Sequence, residues 1–204
     1  MKLARMANGM LPDSVYAALW DCAADAPGPN VVEVGTAHGA ATIALALGRR
    51  DAGLTVAIRT VDRLEGRFSS RSRFGSVEQN KAIVLRNFAA AGVADCISLF
   101  VGTSDEFAAS GECPQQIHLL MLDADGRIDR DLLHFYESLA SNAVIVIDDV
   151  DRELYLGRTH DGTPFIDLKH RISSLLLTLW SRRAICALSN PFTRRRFADG
   201  ARER

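Results

Sequence analysis

Six carboxylates, Glu33, Asp62, Asp123, Asp125, Asp148 and Asp149, fall at or near the ends of apolar runs in this 204-residue chain. Carboxylates gathered into one pocket repel one another unless hydroxyl groups, a cationic ligand or a metal ion compensates them. Their combined chemistry is that of a polar ligand site. A carboxylate offers two acceptor oxygens to a diol, and several together supply hard oxygen ligands for a metal ion. Singly, each acid has a plainer use, because an Asp that follows a strand often caps the next turn. As a set, they predict a shared functional pocket.

The stretch Val31-Val32-Glu33-Val34-Gly35-Thr36-Ala37-His38-Gly39-Ala40-Ala41 reads as a buried strand, a glycine turn and a helix start in succession. Small residues from Ala37 to Ala44 let that helix pack close to the strand, and the turn aims backbone N–H groups at a ligand. The pattern is Glu-x-Gly-x-Ala-x-Gly and does not meet the dinucleotide fingerprint Gly-x-Gly-x-x-Gly. His38 inside the turn faces a ligand or caps the helix, and the motif does not require its side chain.

Hydrophobic periodicity supplies the elements that must position these residues. An N-terminal helix is expected over 11–25, with Val15, Ala18, Leu19 and Cys22 on one stripe, ended by Ala26-Pro27-Gly28-Pro29-Asn30. Strands follow at 31–35, 54–62, 96–101, 117–123 and 143–149. Helices are expected at 39–50, 77–91, from Gly102-Thr103-Ser104 onward, and at 129–141, the last with a stripe of Leu132, Leu133, Tyr136 and Leu139. An exposed loop spans 63–76. Beyond the fifth strand come a loop over 150–164, a helix over 165–180 and two short strands at 183–189 and 193–198 joined by Asn190-Pro191. This alternation predicts an α/β fold, a Rossmann-like doubly wound seven-stranded sheet, mostly parallel with a reversed last strand. Ligands of such sheets lie beyond the carboxyl ends of the strands, where the six acids are.

Composition sets the bounds. With 48% hydrophobic residues and no repeat, the chain is expected to form one domain over 1–204. A net charge of −1 with both signs scattered gives no reason to expect nucleic acid or a membrane surface as partner. The cluster Arg194-Arg195-Arg196 reads as the solvated face of a terminal strand. No run approaches 18 apolar residues, and the four cysteines form no Cys-x-x-Cys pair, so free thiols in a cytoplasmic protein are expected. Only three of the 24 basic residues are lysine, which leaves few candidates for a lysine base. Trp20 and Trp180 read as core or lid aromatics.

The order Glu-x-Gly-x-x-x-Gly at 33–39, Asp62 after the second strand, Gly102-Thr103-Ser104 after the third and Asp123 after the fourth resembles the class I S-adenosylmethionine-dependent methyltransferases, over roughly residues 28 to 150. Leu122-Asp123-Ala124-Asp125, followed by Asp148-Asp149, is similar to the small metal-dependent O-methyltransferases, both the catechol and caffeoyl-coenzyme A type and the sugar-modifying macrocin type. The resemblance divides the chain into a helical segment over 1–28, a cofactor-binding core over 29–150 and an acceptor-side region over 151–204. It implies that Gly35, Thr36 and Gly39 form the turn under the methionine end of the cofactor, with Glu33 orienting that turn. Asp62 would accept from the ribose hydroxyls, and Ser104 and Asp105 would sit by the adenine edge. Asp123, which also borders the cofactor, would join Asp148 and Asp149 in holding a divalent ion, magnesium, that activates the acceptor hydroxyl.

Two departures bear on the implied chemistry. The catechol type has Asn where this chain has Asp149, which favours the sugar-modifying branch. Where a Lys base follows the strand-four acid in that type, Gly126 and Arg127 stand here, and arginine is no base at ordinary pH. Asp123 and His160 are the remaining catalytic candidates. The expected activity is metal-assisted O-methylation of a small hydroxylated acceptor, a sugar or an aromatic diol, by a chain compatible with a homodimer. A metal-independent methyltransferase, a nicotinamide-dependent oxidoreductase and a catalytically silent binding domain stay open as alternatives. The missing middle glycine and the lack of a Tyr-x-x-x-Lys pair count against the oxidoreductase.

Overall fold

The computed structural model describes residue 7, residues 9–65, 75–124 and 128–148, and the backbone of 155–158, 164–167, 185–189 and 193–196. The valine-rich run after Pro29 forms β1 (Asn30–Val34), and the alternation continues through β2 (Ala57–Asp62), β3 (Ile97–Val101), β4 (Ile117–Leu122) and β5 (Leu139–Asp148). The five strands are parallel in the order β3-β2-β1-β4-β5. From β1 the chain moves outward to β3 and then returns past β1 to β4, so strand order reverses between β1 and β4. A crevice opens at such a switch point, on the side of the strands' carboxyl ends.

Helices α1 (Asp13–Asp25), α2 (Ala40–Asp51) and α3 (Val77–Ala90) cover one face of the sheet, while α4 (Ser104–Ala109) and α5 (Ile128–Phe135) cover the other. Period-2 alternation decides which residues meet which layer. Val31, Ile58, Leu119, Met121 and Val146 pack with Leu19, Ile43, Leu45, Val84 and Phe88. Val32, Val34, Val61, Leu120, Leu122, Ile145 and Ile147 pack with Phe107, Leu132 and Phe135. Burial on both faces is why the central strands lack polar alternation.

The inner helix α2 is buried from Ala40 to Arg49 because α1 lies over it. At Gly48 the backbone of Trp20 leaves no room for a Cβ, which lets the two helices approach closely. Trp20 therefore belongs to the packing of α1 on α2, its indole N–H reaching Asp51 at 3.3 Å. Arg49 is buried, and its guanidinium donates to the carbonyls of Thr55, Ala23 and Ala26. That clamp ties the end of α2 to the end of α1 and to the entry of β2.

Two expectations need correction. The helix placed over 129–141 ends at Phe135, a short 3-10 turn spans Tyr136–Ser138, and Leu139 already belongs to β5. Its buried face is Ile128, Leu132 and Phe135 at helical spacing, whereas Leu133 and Tyr136 are exposed. The early start of β5 is absorbed by a bulge, as Ile117 pairs with Leu139 but Leu119 pairs with Val144. The loop over 150–164 and the helix from 165 are also revised, because Tyr155–Arg158 and Pro164–Asp167 pair as antiparallel strands. Tyr155, Phe165 and Ile166 carry strand preference there, which outweighs the apparent helical spacing. Residues 168–184, with Trp180, lie outside the described residues. No helix among the described residues is long and apolar enough to cross a membrane.

Candidate functional site

The first turn is built by the parting of three strands. At its start the Gly35 N–H donates to the Val61 carbonyl at 2.9 Å, while the Asp123 N–H donates to the Val34 carbonyl at 2.8 Å. Gly35 has φ +102°, and the Asp123 carbonyl occupies the place a Cβ would take. Gly39 has φ +87°, and a Cβ there would lie 2.5 Å from the Phe88 ring. Both glycines are therefore demanded by conformation and by space. Ala37 adopts φ +48° without being glycine, a left-handed conformation that must be held in place by its surroundings.

Asp62 is what holds it. Its Oδ2 accepts the Ala37 N–H at 2.8 Å and its Oδ1 accepts the Leu64 N–H at 2.7 Å, which joins the turns after β1 and β2. The carboxylate thus performs the plain capping use. Each oxygen keeps a further lone pair, so both can also accept from a ligand.

Glu33 lies fully buried beneath the turn. Its Oε2 accepts from the hydroxyls of Thr42 on α2 and Thr60 on β2, both at 2.5 Å, and the Thr36 hydroxyl lies 2.5 Å from that of Thr60. Because Thr60 donates to Glu33, Thr36 must donate to Thr60. A line of hydroxyls therefore runs from the turn to the carboxylate. Its other oxygen, Oε1, is buried without a hydrogen-bond partner. Burial pushes the Glu33 pKa up to about 7 and the charge of Asp62 adds to this, against the two threonine hydroxyls.

Asp123 follows β4 and Asp148 ends β5. Leu122 pairs with Ile147, so the two acids stand side by side at neighbouring strand ends. Tyr16, which the sequence reading passed over, belongs to the same region. Its phenol is buried, and burial followed by the charges of Asp123, Asp148 and Glu33 raises its pKa, against the Leu11 N–H that its oxygen accepts at 3.1 Å. Gly9 passes between this hydroxyl and Ala40, whose Cβ would lie 2.8 Å from a Cβ on residue 9. The backbone at Gly9 is thereby pinned against the first residue of α2. Tyr16 stands next to Val15 on a helix whose stripe is read through small residues, and only the fold brings it to the acids.

The structure places Ser104 and Asp105 differently from each other. Ser104 is buried at the start of α4, donates to Asp131 at 2.6 Å and lies 3.1 Å from His134 Nδ1, so its hydroxyl joins α4 to α5. Arg130 grips the same Asp131 through two nitrogens. Asp105 is exposed, with the Thr103 hydroxyl holding its pKa below the usual carboxylate range. Thr103 and Glu106 close a capping box that starts α4. His38 has its pKa lowered by burial, and its carbonyl accepts from the Asn87 amide at 2.9 Å.

Among the described residues no three His, Cys, Asp or Glu gather into a metal-holding group. Asp149 lies outside the described residues, as do Asp125, Gly126, Arg127 and His160. Among the described residues, Cys22, Cys96 and Cys113 form no disulfide.

Fold and candidate site together define an α/β domain with a glycine turn and acids at the switch point of its sheet. The family described as methyltransferase domain matches residues 32–150, more than half of the chain, and this protein belongs to it. No curated protein matches the chain. Among solved structures it is similar to cofactor-bound Rv0187 from MTB, with 21% identity, TM-score 0.62 and coverage of 87% of this chain and 74% of that one. The O-methyltransferase from Bacillus cereus in complex with SAH gives 20% identity, TM-score 0.62 and coverage of 87% and 76%. The O-methyltransferase TomG from Streptomyces achromogenes, in complex with SAM, gives 17% identity, TM-score 0.56 and coverage of 82% and 69%.

Proposed function

We propose that this protein is an S-adenosylmethionine-dependent O-methyltransferase that acts, with a divalent ion, on a hydroxyl of a small sugar or aromatic diol. The observation that carries the reading is the tie between Asp62 and Ala37, which sets an acid with spare lone pairs beside a glycine turn at the switch point. Gly35, Thr36 and Gly39 would hold the methionine end of the donor, with Glu33 orienting the turn from beneath, and Asp62 would receive the ribose hydroxyls. The adenine edge meets the start of α4. There Asp105 is exposed, and Ser104, its hydroxyl already engaged with Asp131, contributes its backbone N–H.

Asp123 and Asp148 suit a magnesium ion by donor chemistry and by adjacency, with Asp149 as the third ligand. Held there, the ion would supply Lewis-acid activation of an acceptor hydroxyl. The acceptor oxygen attacks the methyl carbon, and the carbon–sulfur bond breaks with its electron pair going to sulfur. The oxygen's proton passes to Asp123 or His160. The region over 151–204 supplies the acceptor side, and Ile185–Ser189 beside β5 with a reversed Thr193–Arg196 completes a seven-stranded sheet. A cytoplasmic setting and a small acceptor, not a nucleic acid, agree with cysteines outside disulfides among the described residues and the net charge of −1.

Calorimetry of S-adenosylhomocysteine with and without magnesium tests donor and ion together, followed by methyl transfer to a panel of sugars and catechols. Binding, with turnover lost in a chelator and restored by magnesium, is expected. Turnover indifferent to the chelator would remove the ion from the scheme, and binding of a nicotinamide cofactor instead would overturn the whole reading.

A further inference from the structure

Glu33 is fully buried and its two oxygens are treated unequally. Two threonine hydroxyls donate to Oε2, while Oε1 has no partner. An ionised carboxylate with one bare buried oxygen is costly, since an unsatisfied charged group bears its full desolvation penalty. A proton on Oε1 removes the charge and leaves the threonine bonds in place. A fixed positive charge above the turn achieves the same compensation from outside.

We propose that Glu33 is a charge-selecting residue of the cofactor pocket: its protonated share in the empty protein gives up the proton when a cationic ligand lies over the glycine turn. The inference rests on the methyl-donor reading and deepens it. S-adenosylmethionine bears a sulfonium, whereas the product S-adenosylhomocysteine has a neutral thioether in its place. Ionised Glu33 favours the first over the second, so methyl transfer itself weakens the ligand's hold and helps product leave. The released proton goes to solvent.

The path to the turn is the line Thr36, Thr60, Glu33, whose hydroxyls can reorient as the charge below them changes. Other titratable groups bear on the same carboxylate. Asp62 at the end of β2 opposes its ionisation, and Tyr16 of α1 faces it with a phenol kept protonated. His38 in the turn is held toward its neutral form by burial. From α2 and β2 it meets the neutral hydroxyls of Thr42 and Thr60. With Glu33 titrating at about 7 in the empty protein, both forms are present near neutrality.

The test is calorimetry of the full chain at pH 7 in phosphate and in Tris, whose different ionisation enthalpies report the protons released. S-adenosylmethionine is expected to release about half a proton more than S-adenosylhomocysteine. Its affinity should fall by up to about tenfold per pH unit below 7 while that of the product changes far less. In Glu33→Gln, checked for an intact melting transition, the two ligands should lose their difference in both proton release and pH dependence. Equal proton release by the two ligands in the unmodified protein overturns the proposal and leaves the methyl-donor reading standing. Binding of neither ligand overturns that reading and the proposal with it.

Discussion

Asp62 makes two separable contributions, and substitution can tell them apart. Its carboxylate satisfies the N–H groups of Ala37 and Leu64, both in left-handed backbone, so Asp62→Asn keeps one acceptor and leaves one donor unmet. A loss of about 1–3 kcal/mol in urea unfolding is expected. If the same oxygens also receive the ribose, calorimetry should show at least a tenfold weaker hold on S-adenosylhomocysteine. An unchanged affinity in a destabilised variant would confine Asp62 to capping. Glu33 predicts a stability trend as well. Its folded pKa of about 7 exceeds the ordinary 4.5, so the folded chain keeps a proton that the unfolded chain gives up between those values. Its contribution to stability is complete below 4.5 and lost as pH rises through 7, at up to about 1.4 kcal/mol per unit. Urea midpoints across that window should show this component disappear in Glu33→Gln. The strand-end positions of Asp62, Asp123 and Asp148 were legible because each follows an apolar run. The threonines that grip Glu33 were not, since Thr60 lies on another strand and only sheet pairing beside β1 brings it close.

At the scale of elements, two polar contacts hold the layers in register. Arg49 gives its guanidinium to three carbonyls, so Arg49→Met should leave buried acceptors unmet and cost about 3 kcal/mol. Hydrogen exchange should accelerate first in α1, whose end it holds. A loss under 0.5 kcal/mol, the usual range of a surface change, would mean that the carbonyls find water once the arginine is gone. Ser104→Ala tests the other layer. Asp131 keeps Arg130, so about 1–2 kcal/mol is expected without loss of S-adenosylhomocysteine affinity. A tenfold weaker ligand would instead put the hydroxyl itself at the adenine. The alternation of elements was legible because strands buried on two faces and small-residue helices leave strong periodic signals. The end of α5 was not, because Leu139 continues a plausible helical stripe from Leu132 while the bulge in its pairing with β4 draws it into β5. Arg49 was equally hidden, as a basic residue in the last turn of a helix reads as solvent-facing until α1 is laid over it.

For the whole molecule, the sheet brings three loops to one edge and gathers scattered residues into one candidate site. The turn after β1, Asp62 after β2 and Asp123 after β4 are linked by backbone and carboxylate bonds, so a ligand there contacts the joints that keep the central strands together. Binding should therefore stabilise the described core as a unit. At a free concentration of S-adenosylhomocysteine about 100 times its dissociation constant, linkage supplies about 2.7 kcal/mol. For a chain of this size each kcal/mol raises the melting temperature by about 2–4 °C, so a rise of roughly 5–11 °C is expected. The increment should grow with the logarithm of ligand concentration, as mass action requires. An NAD titration should leave the transition in place, because the turn has Ala37 where a pyrophosphate needs the middle glycine. In Asp62→Asn the same ligand concentrations should give a smaller increment from a lower starting temperature, since one substitution weakens both a joint and a contact. A full increment in that variant would mean that the ligand stabilises the fold without engaging the Asp62 junction, and the cofactor would then have to lie elsewhere along the carboxyl edge.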